Sequence, residues 1–90
     1  MNVQREHALR LVARERDRAE QLRDQGHLRY TAADPDCPSV LRLAALVEEV
    51  GEVARAVHDN TDTLDSELVQ VAAVAVAWLE SRTIRAEGAA

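Results

Sequence analysis

Both prolines of this 90-residue chain, Pro35 and Pro38, fall within four residues of each other, and the segments on either side carry helix-favouring sequence. Each proline disfavours helix at the residue before it, so Asp34-Pro35-Asp36-Cys37-Pro38 anchors an irregular connection over residues 26–38. Upstream, residues 3–25 are rich in Arg, Glu, Leu and Ala without Gly or Pro, which predicts a helix with a broad polar face and a thin stripe of Leu9, Val12, Ala19 and Leu22. Gly26 is its expected stop. Downstream, Val40, Leu43, Ala44, Val47, Val50, Ala54 and Val57 recur at three- and four-residue steps, predicting a helix over residues 39–58 with that stripe as its core face. Asp59-Asn60-Thr61-Asp62-Thr63 interrupts the pattern, with Asp62 or Thr63 as the expected cap of a helix over residues 64–82. The short connection makes these two helices antiparallel neighbours. Residues 83–90 read as a tail, frayed from Ala86 onward.

The expected fold is all-α: one domain spanning residues 1–90, an antiparallel bundle of three main helices. At this size a lone core leaves a narrow stability margin, so completion of the bundle by a homodimer or homotetramer is expected. Aromatic residues make up 2% of the chain and Phe is absent, so Ala, Val and Leu must fill the core and helices must approach closely. Leu68 to Leu79 is apolar almost all round, which predicts burial on several sides, including contact with another subunit. Trp78 is read as a core or interface residue, and Gly51 as a point of close helix approach.

Net charge is −5, and all eleven basic residues are Arg, which argues against a protein that coats a nucleic-acid polymer. The N-terminal residues lack the apolar centre of a signal peptide, and the longest apolar run, Val71 to Leu79, falls short of the roughly 20 residues of a membrane span. Cys37 is the single cysteine, so no internal disulfide exists and a reducing cytoplasm is the expected compartment.

Candidate chemistry lies in carboxylates placed among apolar residues. Glu48, Glu49 and Glu52 occur in Leu46-Val47-Glu48-Glu49-Val50-Gly51-Glu52-Val53, and Glu67 opens the following helix. Carboxylates three and four residues apart share a helix face, where their oxygens can reach one hard cation. Their neighbours are Ala, Leu and Val rather than basic residues, so mutual repulsion calls for a cation from outside the sequence. Antiparallel packing would bring the Glu49/Glu52 pair opposite Glu67 and Gln70. The solvated acidic helix face is the plainer alternative. His7, His27 and His58 lack the spacing of a zinc site, and no nucleophile has an adjacent base.

Glu48-Glu49-Val50-Gly51-Glu52, followed after residues 53–66 by Glu67-Leu68-Val69-Gln70, resembles the signature of the all-α nucleoside triphosphate pyrophosphohydrolases, the MazG-like superfamily: Glu-Glu-x-x-Glu, a spacer, then Glu-x-x-Asp. The likeness covers residues 40–80, and the run from Glu67 to Trp78 is similar to short MazG-like proteins of actinobacteria and their phages. It implies magnesium-dependent hydrolysis, with manganese as a possible substitute, of a nucleoside or deoxynucleoside triphosphate to monophosphate and pyrophosphate, in nucleotide-pool cleansing or control. By position, Glu49, Glu52 and Glu67 would be metal ligands, and Glu48 an accessory ligand or the base for water. Gln70 stands where the family usually has Asp, replacing a charged ligand with a neutral carbonyl oxygen on a longer arm.

Substrate contacts expected alongside are Arg14 or Arg55 to phosphate and Tyr30 to the base, since Arg forms forked bonds to phosphate oxygens and an aromatic ring can stack. Arg14 belongs to an i, i+4 series with Arg10 and Arg18, whose alternative partners are Glu6, Glu15, Asp17 or a second subunit; Arg55 has a salt bridge to Glu48 or Glu52 as its alternative. From a different class, the same pattern fits a non-catalytic helical oligomerisation or interaction module, or a nucleotide sensor whose metal site is weakened at Gln70.

Overall fold

The structure, a computed structural model, describes the backbone of residues 2–89 and the side chains of residues 2–83. Three helices and no strands occur among the described residues: α1 (Val3–Asp24), α2 (Ser39–His58) and α3 (Leu64–Ala89).

Local chemistry sets the ends of these helices. Asn2 caps α1, its Oδ1 accepting from the Arg5 amide at 2.8 Å. Gly26 closes the same helix in the left-handed region at φ 80°, where the Gly26 amide donates to Arg23 and the His27 amide to Leu22. Asn60 closes α2 in the same way at φ 51°, with amides of Asn60 and Thr61 donating to Val57 and Ala56. The Thr63 carbonyl then accepts the Glu67 amide to start α3, while the Thr63 hydroxyl pairs with that of Thr61 at 2.8 Å. The expected tail is helical as far as Ala89, because Arg82 to Glu87 contains neither Pro nor Gly to end the run.

Both α1 and α2 pack on α3, and α1 and α2 make no close backbone approach to each other, which leaves a cleft between them with α3 as its floor. Ala56, Ala73 and Ala77 are buried where the helices meet, the small-residue packing that the near-absence of aromatics requires. No described helix is long and apolar enough to cross a membrane.

The face that α2 turns inward differs from the expected one. Ala45, Leu46, Glu49, Val53 and Ala56 are buried or half-buried. The stripe of Val40, Leu43, Val47, Val50 and Val57 is instead 51–71% exposed. The helix is apolar on two sides, and the inner side, made of smaller residues, fits the close approach to α3. The third helix likewise keeps Leu68, Val76 and Leu79 exposed, because two neighbours cover only part of its circumference. Among the described residues Gly51 serves no close approach: a Cβ there would meet nothing within 4 Å.

Buried arginines fasten the connection over residues 26–38 to the helices. Arg42, 1% exposed, donates from Nε to the Ala32 carbonyl at 2.8 Å and from Nη2 to the Asp34 carbonyl at 2.6 Å. Arg16 bridges α1 and α3, reaching Glu20 at 2.7 Å and Glu80 at 2.6 Å. Thr31 donates to the same Glu20 carboxylate, and Arg23 pairs with Asp34 at 3.0 Å. With those contacts made, the connection folds against the open side of the bundle, and the Cys37 thiol is buried beside the Pro38 carbonyl.

Candidate active-site cleft

The cleft has a volume of about 340 Å³ and draws on every element. Glu15, Arg16 and Arg18 come from α1, Ala45 and Glu49 from α2, and Gln70, Ala73 and Ala77 from α3. Leu28, Tyr30 and Thr31 of the connection form its rim, so the segment held by Arg42 and Glu20 edges the site.

Glu49 is the electrostatic centre. Partial burial raises its pKa, and the carboxylates of Glu67, Glu48, Glu52 and Glu15 raise it further. Among the described residues no basic side chain forms an ion pair with Glu49 or Glu67. Glu15 behaves oppositely: its hydrogen bonds from Arg18 Nε, at 2.7 and 2.9 Å, lower its pKa against the opposing effect of burial, with a smaller contribution from the Gln70 amide. The site therefore contains one neutralised carboxylate on α1 and an uncompensated group on α2 and α3.

Three of the expected residues, Glu49, Gln70 and Tyr30, line this one cleft, and Glu67 is close enough to act on Glu49. Glu52 is half-buried but engaged by Arg55 at 3.2 Å, which gives Arg55 the salt bridge that was the alternative to phosphate contact. Glu48 is exposed on α2. Arg14 lines a neighbouring hollow of about 580 Å³ between α1 and α3, which Arg18 and Gln70 join to the cleft. Tyr30 carries the Arg29 guanidinium over its ring at 5.2 Å.

The donor set suits magnesium in kind, since carboxylate and amide oxygens are the hard ligands that cation takes. Among the described residues, however, no three His, Cys, Asp or Glu side chains converge as a ready-made metal cage. Like charges without a counter-ion spread apart, and the several rotatable bonds of glutamate allow it. Magnesium often retains waters and a substrate phosphate in its shell, so a convergent all-protein cage is not a condition of the chemistry.

Sequence reasoning did not identify Arg16, Arg42 and Glu20, the residues that fix the rim. A signal for Arg42 was present: it is the single charged residue between Val40 and Val47, and a lone arginine in an apolar run is a candidate for a buried, hydrogen-bonded role. No protein-family model, curated protein or solved structure matches this chain.

Proposed function

We propose that the chain is a magnesium-dependent nucleoside triphosphate pyrophosphohydrolase, converting a nucleoside or deoxynucleoside triphosphate and water to the monophosphate and pyrophosphate. The observation that carries this reading is Glu49, half-buried in the cleft without an ion-pair partner among the described residues, where burial and the charges of Glu67, Glu48, Glu52 and Glu15 raise its pKa. A fold gains nothing from such repulsion by itself, whereas a cation-binding site requires the charge.

Glu49, Glu52 and Glu67 would hold magnesium, with the Gln70 carbonyl oxygen as a neutral supplement. When bound there, magnesium would shield phosphate charge and lower the pKa of a coordinated water. The chain's own part is positioning and proton management. Glu48, exposed on α2 next to Glu49, would accept a proton from water as the water oxygen attacks phosphorus and the α–β phosphoanhydride bond breaks, releasing pyrophosphate. Tyr30 offers a ring at the rim, although a base stacking on it has to share it with Arg29 or displace that side chain. Phosphate contact from Arg55 requires release of Glu52, and Arg14 can serve a triphosphate extending into the second hollow. Replacing Glu52 or Glu67 with alanine should abolish pyrophosphate release while far-ultraviolet circular dichroism stays unchanged; undiminished turnover in both variants would remove this assignment.

A second reading, the non-catalytic helical interaction module, is favoured by the exposed apolar stripe of α2. It predicts self-association that is insensitive to magnesium and no product from any nucleotide.

A further inference from the structure

We infer that Glu15 on α1 is a positioning residue of the magnesium site proposed above, on which this role rests: it holds the Gln70 amide with its nitrogen toward α1 and its carbonyl oxygen toward the cleft.

Glu15, Arg18 and Gln70 line both the cleft and the neighbouring hollow, so these side chains form the boundary between the two. The Glu15 side chain is 12% exposed, and Arg18 Nε donates to both of its oxygens at 2.7 and 2.9 Å. That ion pair keeps the carboxylate ionised, and an ionised carboxylate can only accept hydrogen bonds. Gln70, half-buried on α3, hydrogen-bonds to the same carboxylate. The bond must therefore come from Nε2, the donor end of the amide. Oε1 is left for the cleft.

Glu49 supports the same orientation from the other side. It lines the cleft with Gln70, and the influences on it are burial and carboxylate charge, with no amide donor among them. Were the Gln70 nitrogen turned to the cleft, it would present two donors there and no atom able to hold a cation. Turned as Glu15 requires, the side chain presents a carbonyl oxygen, one of the hard ligands magnesium takes. An aspartate at position 70 would set a second carboxylate against Glu15. Glutamine makes that neighbour a hydrogen-bond acceptor instead, so the neutral residue and the α1 carboxylate form one unit.

Calorimetric titration of the full chain with magnesium alone, without nucleotide, tests this role through the near-isosteric Glu15→Gln variant. Arg18 would claim the new carbonyl oxygen, leaving an amide nitrogen facing Gln70, which must then turn its own oxygen away from the cleft. If the competent orientation falls to roughly one molecule in ten, the apparent dissociation constant rises about 10-fold. In a Gln70→Asp background, whose two carboxylate oxygens need no orienting, Glu15→Gln should change affinity by less than about twofold. Arg18→Ala, which breaks the ion pair but keeps the carboxylate, should bind magnesium at least as tightly as wild type. Independently of any variant, the Gln70 side-chain amide protons of the metal-free wild type should resonate apart from those of exposed Gln4 and Gln25 in nitrogen-15 NMR spectra. Wild type that binds no magnesium would remove the metal site and this role with it. Magnesium binding by wild type that is unchanged in Glu15→Gln, weakened equally in the Gln70→Asp background, or weakened as much by Arg18→Ala would overturn the role of Glu15 alone, as would Gln70 amide protons indistinguishable from those of the exposed glutamines.

Discussion

The charge of Glu67 on α3 reaches Glu49, which lines the cleft from α2, and adds to the burial that raises the Glu49 pKa. A carboxyl whose pKa is raised by folding favours the folded state below the ordinary carboxylate range, and that contribution is lost as pH rises through the raised value. Ionised Glu49 is thus a cost at neutral pH. The Glu49→Gln variant should melt at a higher temperature than wild type at pH 7 in chelator, and the difference should close near pH 4. Equal melting at both pH values would contradict the electrostatic description of Glu49.

Magnesium should reverse that ranking. A ligand held only by the folded state at 100 times its dissociation constant contributes about 2.7 kcal/mol, or roughly 10–20 °C of melting temperature for a domain of this size. Wild type should gain that increment on magnesium titration, and Glu49→Gln should gain little. A melting temperature unchanged across the titration would remove the metal site.

The rim depends on Arg42. Arg42→Ala removes two charge-assisted hydrogen bonds to the Ala32 and Asp34 carbonyls, with an expected loss of about 3 kcal/mol and a fall of more than about 10 °C in melting temperature. Amide hydrogen exchange should accelerate first over residues 26–38. Unchanged protection there would show that the connection holds without the arginine.

Acid should release the same segment by another route. Burial pushes the Glu20 pKa up, but the Thr31 hydroxyl and the Arg16 and Arg23 guanidinium groups outweigh it and leave the pKa below its ordinary value. This stability is present above the ordinary carboxylate range and is lost as pH falls through the lowered value. Glu20→Gln should therefore cost about 1–2 kcal/mol at pH 7 and progressively less as pH falls below the ordinary carboxylate range, read from urea unfolding over a pH series. A constant difference would contradict it.

Local signals determined most of the architecture. The proline pair, Gly26 and the polar run from Asp59 to Thr63 mark helix ends through backbone restrictions that act within a few residues, and α2 begins and ends where its pattern does. Which face of α2 turns inward was a different matter, because period alone identifies an apolar stripe without saying whether its cover is the same chain or another. Val47 belongs to the expected stripe and Val53 does not, yet Val53 is half-buried and Val47 is exposed. Glu49 was identifiable because carboxylates among Ala, Leu and Val have no local neutralising partner. The Arg16–Glu80 pair was not, since it joins residues 64 apart and needs the topology first.

The central claim is catalytic, and direct product measurement tests it. Purified chain should be incubated with a panel of standard and damaged nucleoside and deoxynucleoside triphosphates, with magnesium, with manganese and with chelator, and pyrophosphate and monophosphate measured separately. The account predicts equal amounts of both products from at least one substrate, dependent on the metal and lost in the Glu67→Ala variant. Folded wild-type protein that releases neither product across the panel would contradict it.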